Sequence, residues 1–437
     1  MPAPAVLVLA WALVASLSAC GSSPSPSASP SASGAAPSPA VTAGPSSSAT
    51  APAASASPAS PSPAASPVDQ VGALRAIAED VASIRALPWK TPVEPRIIDE
   101  AELRRMLQAD FEKSGSAADL AELESLYRGL GAMAGDRSLQ DLYLGALGSQ
   151  VLGFYRDDDS TLYIVQRSDG LGPVEEYTAA HELTHALQDQ HFGIKKLGLD
   201  TPGQSDRALG ALSLVEGDAS LAGVHWSQRN LSLADLGEII KAASEPTAQE
   251  ALDALPPIVR ESLTFPYAQG LEFVLGLQAT GGWGAVDAAF AKPPASTEQV
   301  LHPEKYASGE APVAVALPSG LAAGLGSGWS LAYEDTLGEL GLRAWLAQAS
   351  EKAAADAAAT GWGGDRAGLY RGPNGAWAIV LRTAWDDAAA AQRFASAASP
   401  VVAELPHATL TTDAQGPVVL VASDAAVLSR LEALVGG

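Results

Sequence analysis

Pro173-Val174-Glu175-Glu176-Tyr177-Thr178-Ala179-Ala180-His181-Glu182-Leu183-Thr184-His185-Ala186-Leu187-Gln188-Asp189-Gln190-His191-Phe192 carries two histidines four residues apart, with a glutamate directly after the first. The run predicts a helix. Pro173 suits a first turn, Glu175 and Glu176 suit the positive end, and Gly193 can terminate it. Val174, Tyr177, Leu183 and Leu187 supply apolar contacts. Residues four apart share one helix face, so the imidazoles of His181 and His185 can grip a single zinc ion. Glu182 lies about 100° around from His181. It has no ligand role there, but it is placed to take a proton from a water at the metal and pass it to a leaving amine.

A zinc site open for catalysis has three protein ligands and a water. Two residues compete for the third place. His191 follows His185 at the metzincin spacing, but the glycine that spacing requires is replaced by Gln188. The methionines, Met1, Met106 and Met133, all lie upstream, so no Met-turn follows. On a continuing helix His191 would sit about 240° around from His185. The other residue is Glu216, in Leu214-Val215-Glu216-Gly217-Asp218-Ala219. Ser205 or Asp206 is expected to cap a helix here. Ala208, Leu209, Leu212, Val215 and Ala219 would make that helix apolar and mostly buried, and a carboxylate buried in it needs a partner. Ala219, Ser220 and Gly223 are small enough to let two helices approach. Asp218 and His225 fall about 200° and 180° away from Glu216, off the metal. The expected ligand set is His181, His185 and Glu216.

His181–His185 followed by Glu216 resembles the gluzincin metallopeptidases, although the stretch from His185 to Glu216 is longer than in their thermolysin-like members. The wider run Thr178–Phe192 with Glu216-Gly217-Asp218-Ala219 is similar to a group of uncharacterised bacterial lipoproteins with a peptidase core. So are Phe265-Pro266-Tyr267-Ala268-Gln269-Gly270, Pro293–Pro303 and Gly361-Trp362-Gly363-Gly364-Asp365-Arg366. The resemblance covers roughly residues 70–437 and implies a zincin-like catalytic domain that binds Zn2+ and hydrolyses peptide bonds in a peptide or protein substrate. Gluzincin relatives often place a Tyr or His on a later helix to stabilise the oxyanion. Tyr267 resembles that residue best, with His302 second. A strand edge before the metal helix could hold substrate backbone by β-addition.

The N-terminus points to the location. Residues 1–19 read as an export signal, with the apolar stretch Ala5–Ala15 too short for a membrane span, which takes roughly 20 residues. Leu17-Ser18-Ala19-Cys20 resembles a bacterial lipobox, although no Lys or Arg precedes the apolar run. That resemblance implies cleavage before Cys20 and lipidation of it, hence a lipid anchor on the extracytoplasmic face of a bacterial membrane. Cys20 is the single cysteine, so no disulfide forms within the chain. Residues 20–68 are a Ser/Ala/Pro-rich linker, too poor in apolar surface to offset ordering entropy. The chain has 437 residues and a formal net charge of −23, which argues against nucleic-acid partners. It contains no Gly-x-Ser-x-Gly elbow for a serine hydrolase.

The rest reads as α+β in two parts. Residues 69–325 are expected to be the mainly helical zincin-like domain, with a small β-hairpin or sheet before the metal helix. In it, Val71, Leu74, Ile77, Val81 and Ile84 mark a first helix. Asp99 can cap a second, and Leu120–Leu130 suggest a third. Val151–Tyr155 and Thr161–Val165 read as a hairpin around Asp157-Asp158-Asp159-Ser160. Pro312–Gly328 has no period and marks a boundary. Residues 326–437 are expected to form a smaller α+β domain. Its elements are a helix over Asp335–Ala358, a hairpin at Gly372-Pro373-Asn374-Gly375, a helix near Asp386–Ala398, a second hairpin and a last helix from Asp424. The function these features imply is a membrane-anchored zinc metallopeptidase of the cell envelope. The alternative is a non-catalytic envelope lipoprotein, stabilised by zinc and acting as a binding module. The second-position Glu182 separates them, because a structural site has no use for a general base.

Overall fold

The computed structural model describes residues 67–113, 116–156, 159–166 and 170–436. Cys20, the signal-like run, the linker up to residue 66 and the Asp157-Asp158 turn lie outside the described residues. The elements run α1 (Pro67–Arg85), β1 (Glu94–Ile98), α2 (Glu100–Lys113), α3 (Ser116–Gly129), α4 (Leu139–Gln150), β2 (Gly153–Arg156), β3 (Thr161–Val165), α5 (Pro173–Phe192), α6 (Ser205–Asn230), α7 (Leu233–Ala243), α8 (Pro246–Asp253) and α9 (Pro257–Ala291). They continue with α10 (Thr297–Leu301), α11 (Pro303–Ser308), α12 (Leu321–Leu325), β4 (Ser330–Asp335), α13 (Gly338–Leu346), α14 (Lys352–Ala359), β5 (Trp362–Arg371), β6 (Trp377–Trp385), α15 (Ala388–Ala403), β7 (Ala408–Thr412), β8 (Pro417–Ala422) and α16 (Ala425–Val435). The fold is α+β, as the patterning predicts.

The strands form two sheets. The first has the order β1-β3-β2. The expected hairpin is present, with Phe154 opposite Tyr163 and their rings stacked at 4.9 Å. The sequence reading contained no strand at β1. It pairs parallel to β3, with Glu94 opposite Thr161 and Ile98 opposite Val165. A parallel partner is reached only by a long crossover, here α2–α4, so local patterning does not reveal it. The second sheet is antiparallel throughout, in the order β4-β5-β6-β8-β7.

Helix α3 packs against this second sheet, and α2 and α4 pack on α3 and on each other. One continuous core holds Leu103, Leu126, Tyr127 and Leu139 together with Trp345, Leu369, Ile379 and Val421. The indole of Trp345 donates to Leu130 O at 2.9 Å, and Arg371 reaches Glu122 at 2.8 Å. The regions expected on either side of residue 325 therefore share one core.

Two local expectations are corrected. Neither Ser205 nor Asp206 caps α6, because both lie within its first turn and Gln204 holds the cap position without a side-chain bond. Asp335 does that work from across the fold, accepting from Ser205 N at 2.9 Å and from the Ser205 hydroxyl. Asp206 instead accepts from Thr297 N and Oγ1 at 2.9 and 2.5 Å. The single helix expected over Asp335–Ala358 is a strand end followed by α13 and α14. Gly338, the first residue of α13, has a left-handed φ of 72°, and a Cβ there would sit 1.8 Å from Asp206 Oδ1, so only glycine fits where the strand end passes into the helix. The remaining C-terminal expectations hold in outline: α15 and α16 stand where helices were expected, and Gly372–Gly375 joins β5 to β6; the structure adds that Asp387 and Asp424 cap the two helices. Among the described residues, no helix is long and apolar enough to cross a membrane.

Candidate metal centre

α5 begins with Pro173 in its first turn. Glu175 reaches back to accept from Gly172 N at 3.0 Å, and Gly193 ends the helix at φ 73°. Every residue from Tyr177 to Gln188 is buried. A helix enclosed this way is usually apolar, yet this one carries His181, Glu182, Thr184, His185 and Gln188 inside. Such polar groups need partners when buried, and the partners lie mainly on α6.

His181 Nε2 and His185 Nε2 face each other at 3.0 Å. Glu216 Oε2 lies 3.2 Å from the first and 3.5 Å from the second. Ligand atoms about 2.0–2.2 Å from a tetrahedral zinc are about 3.3–3.6 Å apart, so the three atoms stand close to the spacing such an ion imposes. Glu216 Oε1 and Glu182 Oε1 are buried with no hydrogen-bond partner among the described residues. Two imidazole nitrogens and a carboxylate converging on one point fit a divalent cation. His181, Glu182, His185 and Glu216 are each 1% exposed or less. Burial holds the His181 ring below its ordinary pKa, outweighing the Glu216 hydrogen bond, which favours the neutral form a ligand needs. Burial would raise the Glu216 carboxyl, but His185 and His181 beside it reverse the sign and leave it lowered.

Glu216 is aimed inward by a close helix contact. A Cβ on Gly217 would meet Gly270 O at 2.1 Å, and one on Gly270 would meet Ser213 O at 2.3 Å. α6 and α9 thus touch backbone to backbone one residue from Glu216. The contact was expected at Ala219, Ser220 and Gly223. Gly223 faces the ring of Tyr177 instead. The same α9 register places Tyr267 at the site, its ring 6.2 Å from that of His181 with 29° between the planes. Glu182 is held from the other side, where Tyr155 N on the edge strand β2 donates to Glu182 Oε2 at 3.1 Å. Burial, then the nearby Glu216, pushes the Glu182 carboxyl well above its usual range, against the Tyr155 hydrogen bond.

The other candidates lie elsewhere. His191 Nε2 bonds Pro88 O at 2.8 Å. His302 Nε2 bonds Glu339 Oε1 at 3.1 Å, which makes it a structural hydrogen-bonder. His225 meets Gln278 at 3.1 Å. A second acidic group, Glu298, Glu310 and Asp386, is filled by the Lys305 ammonium at 2.7, 2.7 and 2.6 Å. The sequence reading missed the residues behind the ligands: Gln188, Asp218 and Arg85. Arg85 had a signal, since it follows Val81 at i+4 on the apolar face of α1.

A protein-family profile described as "Domain of unknown function (DUF8575)" matches residues 330–433, the stretch that begins at β4 and includes the second sheet. No curated protein and no solved structure matches the chain.

Proposed function

We propose that this protein is a zinc-dependent peptidase of zincin-like architecture, with His181, His185 and Glu216 as ligands and Glu182 as general base. One observation carries the reading. A buried carboxylate with an orphaned oxygen, Glu182, stands beside a cluster of three ligating groups that, among the described residues, has no fourth protein ligand. Closed structural zinc sites favour four protein ligands, whereas catalytic ones keep a position open. Bound zinc would supply Lewis-acid polarisation of a substrate carbonyl and of the attacking water. Glu182 takes the proton from that water and delivers it to the leaving amine. Tyr267 is the group best placed to donate to the developing oxyanion. The membrane-side location rests on Cys20, and mass spectrometry of the membrane fraction tests for its lipid.

The second reading, a non-catalytic zinc-stabilised lipoprotein, has one observation in its favour: Tyr267 is only 3% exposed and the ligands less. A peptide must displace part of this enclosure to reach the centre. Digestion of a peptide library by the full chain, with and without a chelator, separates the two. Cleavage that the chelator stops, and that added zinc restores, is the expected result. No cleavage by protein that holds one zinc, with a chelator lowering its Tm, would reject the peptidase reading in favour of the second.

A further inference from the structure

His185 Nδ1 lies 2.9 Å from Gln188 Oε1, one helical turn along α5. Gln188 is fully buried, and its Nε2 lies 2.9 Å from both Val215 O and Asp218 Oδ2. These are two acceptors for the two amide hydrogens. The amide therefore cannot be turned over without pointing an oxygen at two oxygens. With Oε1 locked toward His185, the hydrogen on that ring must sit on Nδ1. Nε2, the nitrogen 3.0 Å from His181 Nε2, is left with its lone pair free.

Asp218 is held in turn from α1. Arg85 Nε donates to Asp218 Oδ1 at 2.6 Å, and its Nη2 donates to Asp287 Oδ1 at 2.5 Å. The guanidinium lies 4.4 Å from the centroid of the Trp283 ring. Arg85 and Asp218 have no exposed side-chain surface. A buried charge of this kind is retained at a desolvation cost, and fixing a geometry is the role that accounts for it here.

We propose that Gln188, Asp218 and Arg85 form a positioning relay that sets the tautomer of His185 and ties the metal centre to the docking of α1. This inference rests on the metal reading of His181, His185 and Glu216. None of the three touches substrate. Partners behind a ligating histidine typically tune metal affinity by about 10–100-fold.

Two measurements on the full chain decide it. The first needs no substitution. Nitrogen-15 NMR of the metal-free protein at about pH 8, where free imidazole is neutral, reads the tautomer of each histidine, and His185→Ala identifies the signal. A single Nδ1–H form is expected for His185. An Nε2–H form or a mixture overturns the relay. The second is zinc affinity by competition with a chromophoric chelator. Gln188→Met keeps the volume but removes the acceptor, and it should weaken zinc about 10–100-fold and mix the His185 tautomers. Arg85→Met should weaken zinc as well, through Asp218. A merely structural role would lower Tm and leave zinc affinity and the tautomer unchanged, and that pattern in Gln188→Met overturns the proposal. Wild-type protein that binds no zinc would defeat the metal reading instead, while the tautomer still decides the relay.

Discussion

The backbone N–H of Tyr155 donates to Glu182 Oε2 at 3.1 Å, while Glu182 Oε1, also buried, has no hydrogen-bond partner among the described residues. One oxygen is fixed by the edge strand, and the other is left without a hydrogen bond one residue along the helix from His181. That is the arrangement expected of a base held in place by the sheet. Glu182→Gln keeps the shape and the bond from Tyr155 but cannot take a proton. Turnover on any peptide the wild type cleaves should fall by about 10²–10⁴-fold, with zinc content unchanged by metal analysis. Unchanged turnover would assign the activity to another site. Tyr267→Phe should cost about 10²–10³-fold if its hydroxyl serves the oxyanion.

Glu216 is the one proposed ligand that comes from α6. Glu216→Ala should lose stoichiometric zinc, as should His181→Ala, each measured by metal analysis after dialysis. Full occupancy in Glu216→Ala would remove that residue from the site. Zinc that depends on His191 would contradict its 2.8 Å bond to Pro88 O and its place outside the cluster.

The contact of α6 with α9 makes a paired test with opposite signs. Gly217→Ala would place a Cβ 2.1 Å from Gly270 O, which forces the helices apart. Overpacking of this kind costs about 1–3 kcal/mol, occasionally more, and a lower Tm with weaker zinc binding is expected. Gly237, on α7, has no atom within 4 Å of where a Cβ would stand. Gly237→Ala should therefore stabilise the protein, by about 0.8–1.0 kcal/mol from helix propensity. A Tm for Gly217→Ala equal to wild type would mean that the helices part freely.

Burial pushes the Asp206 carboxyl up to about 8, although its hydrogen bonds with Thr297 act the other way. Asp365, also buried, is raised to about 6. Both values lie above those of an unfolded chain, near about 4. The folded state therefore binds more protons than the unfolded state across this window. Their contribution is greatest below about pH 4 and is lost as pH rises through the folded values. Urea midpoints should fall between pH 5 and 8, and Asp206→Asn, which has no proton to lose, should flatten that slope. An identical slope in the variant would show that Asp206 titrates normally.

What the sequence by itself determined is local. The spacing of His181 and His185 on one turn, the stop at Gly193, the burial of α6, the β2–β3 hairpin and the helices near Asp386 and from Asp424 depend on residues within a few positions of one another. Periodicity and capping chemistry report on that range. The distant contacts were decided only by the tertiary structure. The parallel strand β1 depends on a crossover. Ser205 gives up its expected role at the start of α6 because Asp335, 130 residues on, arrives to accept its N–H. Gln188 looked like a broken metzincin motif until Val215 O and Asp218 supplied acceptors for its amide. Arg85 lies 133 residues from Asp218, and no pattern along the chain can pair the two. A buried polar group takes whatever partner the packed core brings to it, and that partner is set by how the helices dock, which sequence spacing does not record.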